Sequence, residues 1–201
     1  MSSSSRIGRS ASLGFRVHAG WATAVALGSP AASPVVLLRR RVELWDPKVP
    51  ESGGPWHAAM ENPGPAAATL VERGSRAVRS VALRVLELLV RELGEQGHVV
   101  GGAGLVVSSD PDPARCHGAH IHAHAAEAIL YREALREAAV AGGLPSTFLI
   151  ERTACAEAAP RLRLQTSELE RRLKDMGRPV GPPWRADERA AALAAWVMLP
   201  R

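Results

Sequence analysis

The sequence predicts an α/β domain: a mixed sheet of five strands with helices on both faces, in the order β-β-β-α-β-α-β-α-α. Three observations predict it. Three β-prone runs come first, separated only by tight turns, which makes an antiparallel meander. Two further strands follow, each after a helical stretch long enough for a crossover connection. The chain then closes on helices, which must cover the sheet faces that remain.

Residues 12–27, SLGFRVHAGWATAVAL, read as two strands broken at Ala19-Gly20. The GSPAASP stretch, 28–34, is a turn, and 35–44, VVLLRRRVEL, is a third strand. Residues 46–65 hold five prolines and read as a long loop. Leu70, Val71, Val78, Val81, Val85, Leu88 and Leu89 recur at helical spacing within 66–96, and Gly97 ends that helix. A buried strand, 98–107, follows, and then the SSDPDP loop. A helix over 117–141 closes at Gly142-Gly143, and 145–151 is the fifth strand. The next helical segment, 154–176, is expected to break at Pro160. GRPVGPPW is a loop, and 185–199 is an Ala-rich last helix.

At 201 residues the chain is long enough for one core without disulfide or metal staples. Residues 1–10, Ser-rich with Arg6 and Arg9, read as a disordered tail, and 11–201 as a single domain. The tail lacks the apolar stretch of a signal peptide, so the expected compartment is the cytoplasm. No apolar run reaches the roughly 18 residues of a membrane span, so no membrane partner is expected. Cys116 and Cys155 form no CxxC pair and are read as reduced thiols. The net charge of +5 fits nucleic acid or another anionic ligand. It equally fits a GC-rich coding composition, since the only lysines are Lys48 and Lys174. Arg39, Arg40 and Arg41 are the densest basic cluster, and on a strand they alternate between faces.

Three stretches carry a resemblance to a known family. One is the first strand pair, with Gly20 and then Trp21-Ala22-Thr23-Ala24-Val25. Another is His120 to Pro145, a helix of small and apolar residues leading through a glycine turn into strand 146–151. The third is Arg185 to Trp196, RADERAAALAAW, with acids at its start and alanines behind. Together with the element order, these resemble the ribonuclease H-like superfamily in its Holliday-junction-resolvase branch. The resemblance implies two-metal phosphodiester cleavage, which needs several carboxylates within about 4 Å of paired Mg²⁺ ions. The sequence departs from that pattern. His18 stands at the position of the first-strand aspartate, and the central-strand acid position falls on Ser108, Ser109 or Asp110. Asp187 (or Glu188) matches the acid of the last helix.

In such a fold His18, Ser108, Ser109, Asp110 and His120 meet at one rim of the sheet, where α/β proteins place their ligands. His18, Asp110 and Asp187 are the candidate catalytic residues, with His18 as a general base near neutral pH. Ser108, Ser109, Trp21 and Trp184 are the candidate binding residues. Ser108 and Ser109 lack the GxSxG elbow of a nucleophile and also read as turn or capping residues. Trp56-His57 and Trp184 either lid the rim or cover a core edge. Gly101, Gly102 and Gly104 lack the phosphate-loop pattern and read as close helix-on-strand packing. Glu43 and Asp46 could lend a carboxylate or simply be solvated at a strand end.

Residues 116–124 read CHGAHIHAH. On a helix His120, His124 and Glu127 share a face, with Cys116 extending the row. Two imidazoles and a carboxylate suit Zn²⁺, Mn²⁺ or Fe²⁺, so a divalent metal is a candidate cofactor. The same histidines could instead be solvated at a helix start, and no HExxH motif supplies a base between them. Three functions therefore stand open. The first is a divergent ribonuclease H-like domain that binds nucleic acid or a nucleotide without two-Mg²⁺ nuclease activity. The second is a metal-dependent hydrolase using His120, His124 and Glu127. The third is a catalytically silent interaction domain.

Overall fold

The computed structural model describes residues 9–110, 112 and 115–200. Residues 1–8 of the expected tail lie outside that range, and Arg9 and Ser10 already open the first strand. The strands are β1 (Arg9–His18), β2 (Trp21–Gly28), β3 (Val35–Glu43), β4 (His98–Val107) and β5 (Ser146–Ile150). The helices are α1 (Pro55–Glu61), α2 (Ala67–Glu95), α3 (Ala119–Ala141), α4 (Ala154–Leu162), α5 (Thr166–Asp175) and α6 (Ala186–Met198). The five strands form one mixed sheet, as the element pattern predicts, and its spatial order is β3-β2-β1-β4-β5. β1 pairs antiparallel with β2 and parallel with β4, and β4 pairs parallel with β5. Gly20, at φ 78°, makes the tight turn between β1 and β2 that a Cβ would strain.

Side chains alternate along β1, so each sheet face has its own core. Leu13, Phe15 and Val17 pack toward α2 and α3 with Val78, Leu89, Leu130 and Leu135. The opposite face meets α6. There β2 offers Val25 and Leu27, β4 offers Val106, and α6 supplies Ala191, Leu193, Ala194 and Trp196. Glycines on β1 and β4 let the α6 backbone approach. A Cβ on Gly14 would lie 2.0 Å from the Ala191 carbonyl oxygen, and one on Gly104 2.3 Å from that of Ala194. Ser12, on the same face, donates its hydroxyl to the Ala195 carbonyl at 2.6 Å. The small residues of the last helix and the strand glycines are therefore two halves of one contact.

Four expectations change. Residues 46–65 are not all loop: a 3-10 turn at Pro50–Gly53 leads into α1, with Pro55 buried in its first turn. Proline tolerates that position because its missing N–H would be unpaired there anyway. In α2, Val78, Val81 and Leu89 are buried as expected, but Leu88 is exposed and Leu86 and Leu93 join the buried stripe instead. α3 starts two residues late, after Gly118 at φ 95°, so Cys116 and His117 lie off the helix. Pro160 sits inside α4, and the break comes at Arg163, a non-glycine residue at φ 56°. Among the described residues no helix is long and apolar enough to cross a membrane.

Candidate functional site

β1, β4, β5 and the start of α6 meet at the rim where β1 and β4 end. Alternation places Arg16 and His18 on the α6 side of β1. His18 Nε2 lies 2.9 Å from Asp187 Oδ2, in the first turn of α6. The His18 ring is stacked on Trp21, centroid to centroid 4.0 Å, and the Arg41 guanidinium lies 3.8 Å from the Trp21 ring centroid. Two groups at that range leave little indole surface for a stacked base, so the geometry makes Trp21 a support for His18. Burial, followed by the Arg16 charge, holds the His18 pKa below its ordinary value, against the pull of Asp187 and Glu151. The ring is then neutral near pH 7, with its Nε2–H donated to the Asp187 carboxylate.

Arg16 is buried at 5% exposure. Its Nη2 donates to Glu151 Oε2 at 2.6 Å and to Ser108 Oγ at 3.1 Å, and its Nη1 donates to the Val17 carbonyl at 2.7 Å. Asp110 is ion-paired with Arg132 at 2.6 Å, and Arg132 also reaches the Ser109 carbonyl at 3.4 Å. Ser108 is thus tied to Arg16, while Ser109 and Asp110 are tied to α3. A small cavity of about 130 Å³ opens here, lined by Val17, His18, Val107, Ser108, Ser109 and Ala128. A larger cleft of about 260 Å³ runs beside it between α4, α5 and α6, bordered by Glu151, Cys155, Glu170, Lys174 and Arg189. Burial pushes the Cys155 thiol up, so it is no ready thiolate nucleophile.

The donor set at the rim does not fit paired Mg²⁺ ions, which need carboxylate oxygens free to coordinate. Asp187 is bonded to His18, Glu151 to Arg16 and Asp110 to Arg132. Every acid there already has a nitrogen partner. Arg16 and Glu151 were not singled out from the sequence. The signal available was the period of two on β1, which puts Arg16 on the face of His18.

Trp184 lines a cleft with Lys174, Arg178 and Arg189. Its Nε1 donates to the Leu173 carbonyl at 2.7 Å, and its indole fills the space where Gly177 lacks a Cβ. Trp56 packs half-buried against the core, so it too covers an edge. The arginines of β3 do alternate. Arg40 pairs with Glu92 of α2 at 2.9 Å, and Arg39 reaches the Gly181 carbonyl at 2.8 Å across the other face.

A second cluster lies at the start of α3. His120 Nε2 and His124 Nε2 face each other at 3.0 Å. The third imidazole is His57 of α1, with ring centroids 5.0 Å from His120 and 4.5 Å from His124. One ligand atom from each of the three lies within 4.8 Å of the others. Glu127 lies beneath them at 4% exposure. Its carboxylate takes His57 Nδ1 at 2.8 Å and the backbone N–H groups of Trp56 and His57 at 3.1 Å. Glu127 therefore anchors His57 and does not stand level with the imidazoles. His57 escaped the sequence reading as a member of this cluster because only the α1–α3 contact brings it there. Cys116 takes no part, its thiol donating to the Asp112 carbonyl at 3.4 Å.

No family model matches the chain, and no curated protein matches it. Solved structures do. The chain is similar to Thermus thermophilus RuvC in complex with a Holliday junction substrate, with a TM-score of 0.52 and 13% identity over 93% of this chain and 91% of that one. A second T. thermophilus RuvC structure gives a TM-score of 0.50 and 12% identity, over 93% of this chain and 92% of the other. At such identity the likeness speaks for backbone architecture alone. The chain has the ribonuclease H-like fold that RuvC also has.

Proposed function

We propose that this protein is a ribonuclease H-like domain that binds nucleic acid through phosphate contacts beside the β1–β4 rim, without two-Mg²⁺ nuclease chemistry. One observation carries the reading. The rim acids each already hold a nitrogen partner, while two cations of the neighbouring cleft hold no acid. The side chains of Lys174 and Arg189 form no ion pair with a carboxylate among the described residues, and both border two adjoining clefts. Such a surface attracts a polyanion and leaves no oxygen cage for Mg²⁺. The solved relative bound to a Holliday junction makes branched DNA the substrate to try first.

The hydrolase reading of His120, His124 and Glu127 is less supported, because the Glu127 carboxylate is spent on His57 and on backbone N–H groups instead of facing a water. The test is fluorescence anisotropy with labelled four-way junction, duplex and single-stranded DNA at low and moderate salt. Affinity for at least one form should fall steeply with salt, with a log–log slope of about −0.9 per phosphate neutralised on duplex. Lys174→Glu with Arg189→Glu should reduce that slope and weaken binding by about tenfold or more. Undetectable binding at low ionic strength would defeat the proposal.

A further inference from the structure

We infer that His57, His120 and His124 form a Zn²⁺ site, with Glu127 as the anchor of His57 and a fourth position open to solvent. The argument rests on donor type, spacing and an outer partner. Imidazole nitrogens suit Zn²⁺ and its late first-row neighbours, and three of them with one exchangeable position is a common zinc arrangement. A tetrahedral ion with Zn–N bonds of about 2.0–2.1 Å holds its nitrogens about 3.3 Å apart. His120 Nε2 and His124 Nε2 lie 3.0 Å apart, and all three donors fall within 4.8 Å of one another. Small rotations of exposed rings close the rest.

The outer partner is the second observation. Metal-bound histidines usually donate their other ring N–H to a carboxylate, which fixes the tautomer and raises the basicity of the ligating nitrogen. The His57–Glu127 pair has that geometry at 2.8 Å, with Nε2 of His57 left as its available donor. Glu127 is itself held by the Trp56 and His57 N–H groups. Gly54 leaves room for this, since a Cβ there would stand 3.3 Å from Glu127 Oε1. A solvated group of histidines needs no buried carboxylate aimed at one ring. The residues come from two elements far apart in sequence, α1 and the first turns of α3. A bound ion would therefore clip the 55–61 segment onto α3, and the buried Glu127 charge would partly balance its own.

The site is separate from the proposed nucleic-acid surface, so either can fail alone. The experiment strips the full chain with EDTA, adds ZnCl₂ alone, and measures bound zinc by elemental analysis and affinity by competition with a chelating dye. Co²⁺ in place of Zn²⁺ reports geometry by its visible absorption. The expected result is one zinc per chain, tetrahedral cobalt bands and a raised Tm. His57→Ala, His120→Ala and His124→Ala should each weaken binding by more than about 100-fold, and Glu127→Gln by about 10–100-fold, the usual loss for an outer partner. His117→Ala and His122→Ala should bind zinc as the parent does. Far-UV circular dichroism checks each apo variant. Because His120 and His124 are exposed, their alanine variants keep the test decisive if His57→Ala or Glu127→Gln misfolds. No retained zinc, or zinc binding that survives His120→Ala and His124→Ala, would overturn the assignment.

Discussion

His18 sits between an aromatic ring, a carboxylate and a buried guanidinium, and its titration follows from them. The folded state holds its pKa below the ordinary 6.5, first by burial and then by Arg16. The neutral ring is therefore favoured on folding. Its contribution to stability is complete above the unfolded pKa and declines as pH falls through that value toward the folded one. His18→Gln should flatten the fall in Tm on going from about pH 7 to pH 5 relative to the parent. Parallel Tm curves for the two proteins would refute the account. Arg16 faces the opposite demand: a buried charge must keep its partners. Arg16→Ala leaves Glu151 and the Ser108 hydroxyl without their donor. It should cost about 2–3 kcal/mol in chemical denaturation, tempered because Glu151 is 42% exposed. His18 was visible in the sequence as a polar strand end. That it would stack on Trp21 and bond Asp187 was not, since Asp187 lies 169 positions away.

Helix α6 and the two strands beneath it show how a weak pattern becomes a firm contact. Alanine-rich helices and strand glycines are each common, but here they meet backbone to backbone. Gly104→Ala would drive a Cβ to 2.3 Å from the Ala194 carbonyl oxygen, so the helix must lift. A loss of about 1–3 kcal/mol is expected, or a Tm lower by roughly 2–10 °C. Gly94, exposed near the end of α2, has nothing within 4 Å of a built Cβ. Gly94→Ala should instead stabilise by about 0.5–1 kcal/mol, through helix propensity and a less free unfolded chain. Thermal melts of the two variants side by side check both signs. The helix boundaries that the sequence misplaced share a cause. Pro-rich composition masks α1, and Pro160 is accommodated inside α4 while the chain breaks at the left-handed Arg163, because local propensity yields where packing supports the exception.

Across the whole molecule the basic charge resolves into two populations. Many arginines are consumed internally, among them Arg16, Arg40, Arg41, Arg73 and Arg132, each paired with a carboxylate. Lys174 and Arg189, at the cleft between α4, α5 and α6, form no such pair among the described residues, which is why salt-dependent DNA binding is expected there and why net charge alone could not locate it. Zinc acts at the same scale. An ion that binds only the folded chain, at about 100 times its Kd, adds about 2.7 kcal/mol and should raise Tm by roughly 5–10 °C.

The sequence by itself determined the five strands and the long helices between them, the mixed sheet and the ribonuclease H-like likeness, because period, turn chemistry and crossover length are local properties. It also determined that the first strand ends on an imidazole and that histidines crowd the start of α3. Only the tertiary structure decided the company these residues keep. It bound each rim acid to a base, brought His57 across from α1, and turned Glu127 into that ring's anchor. Those outcomes depend on contacts between elements distant in the chain, and no spacing within one element encodes them.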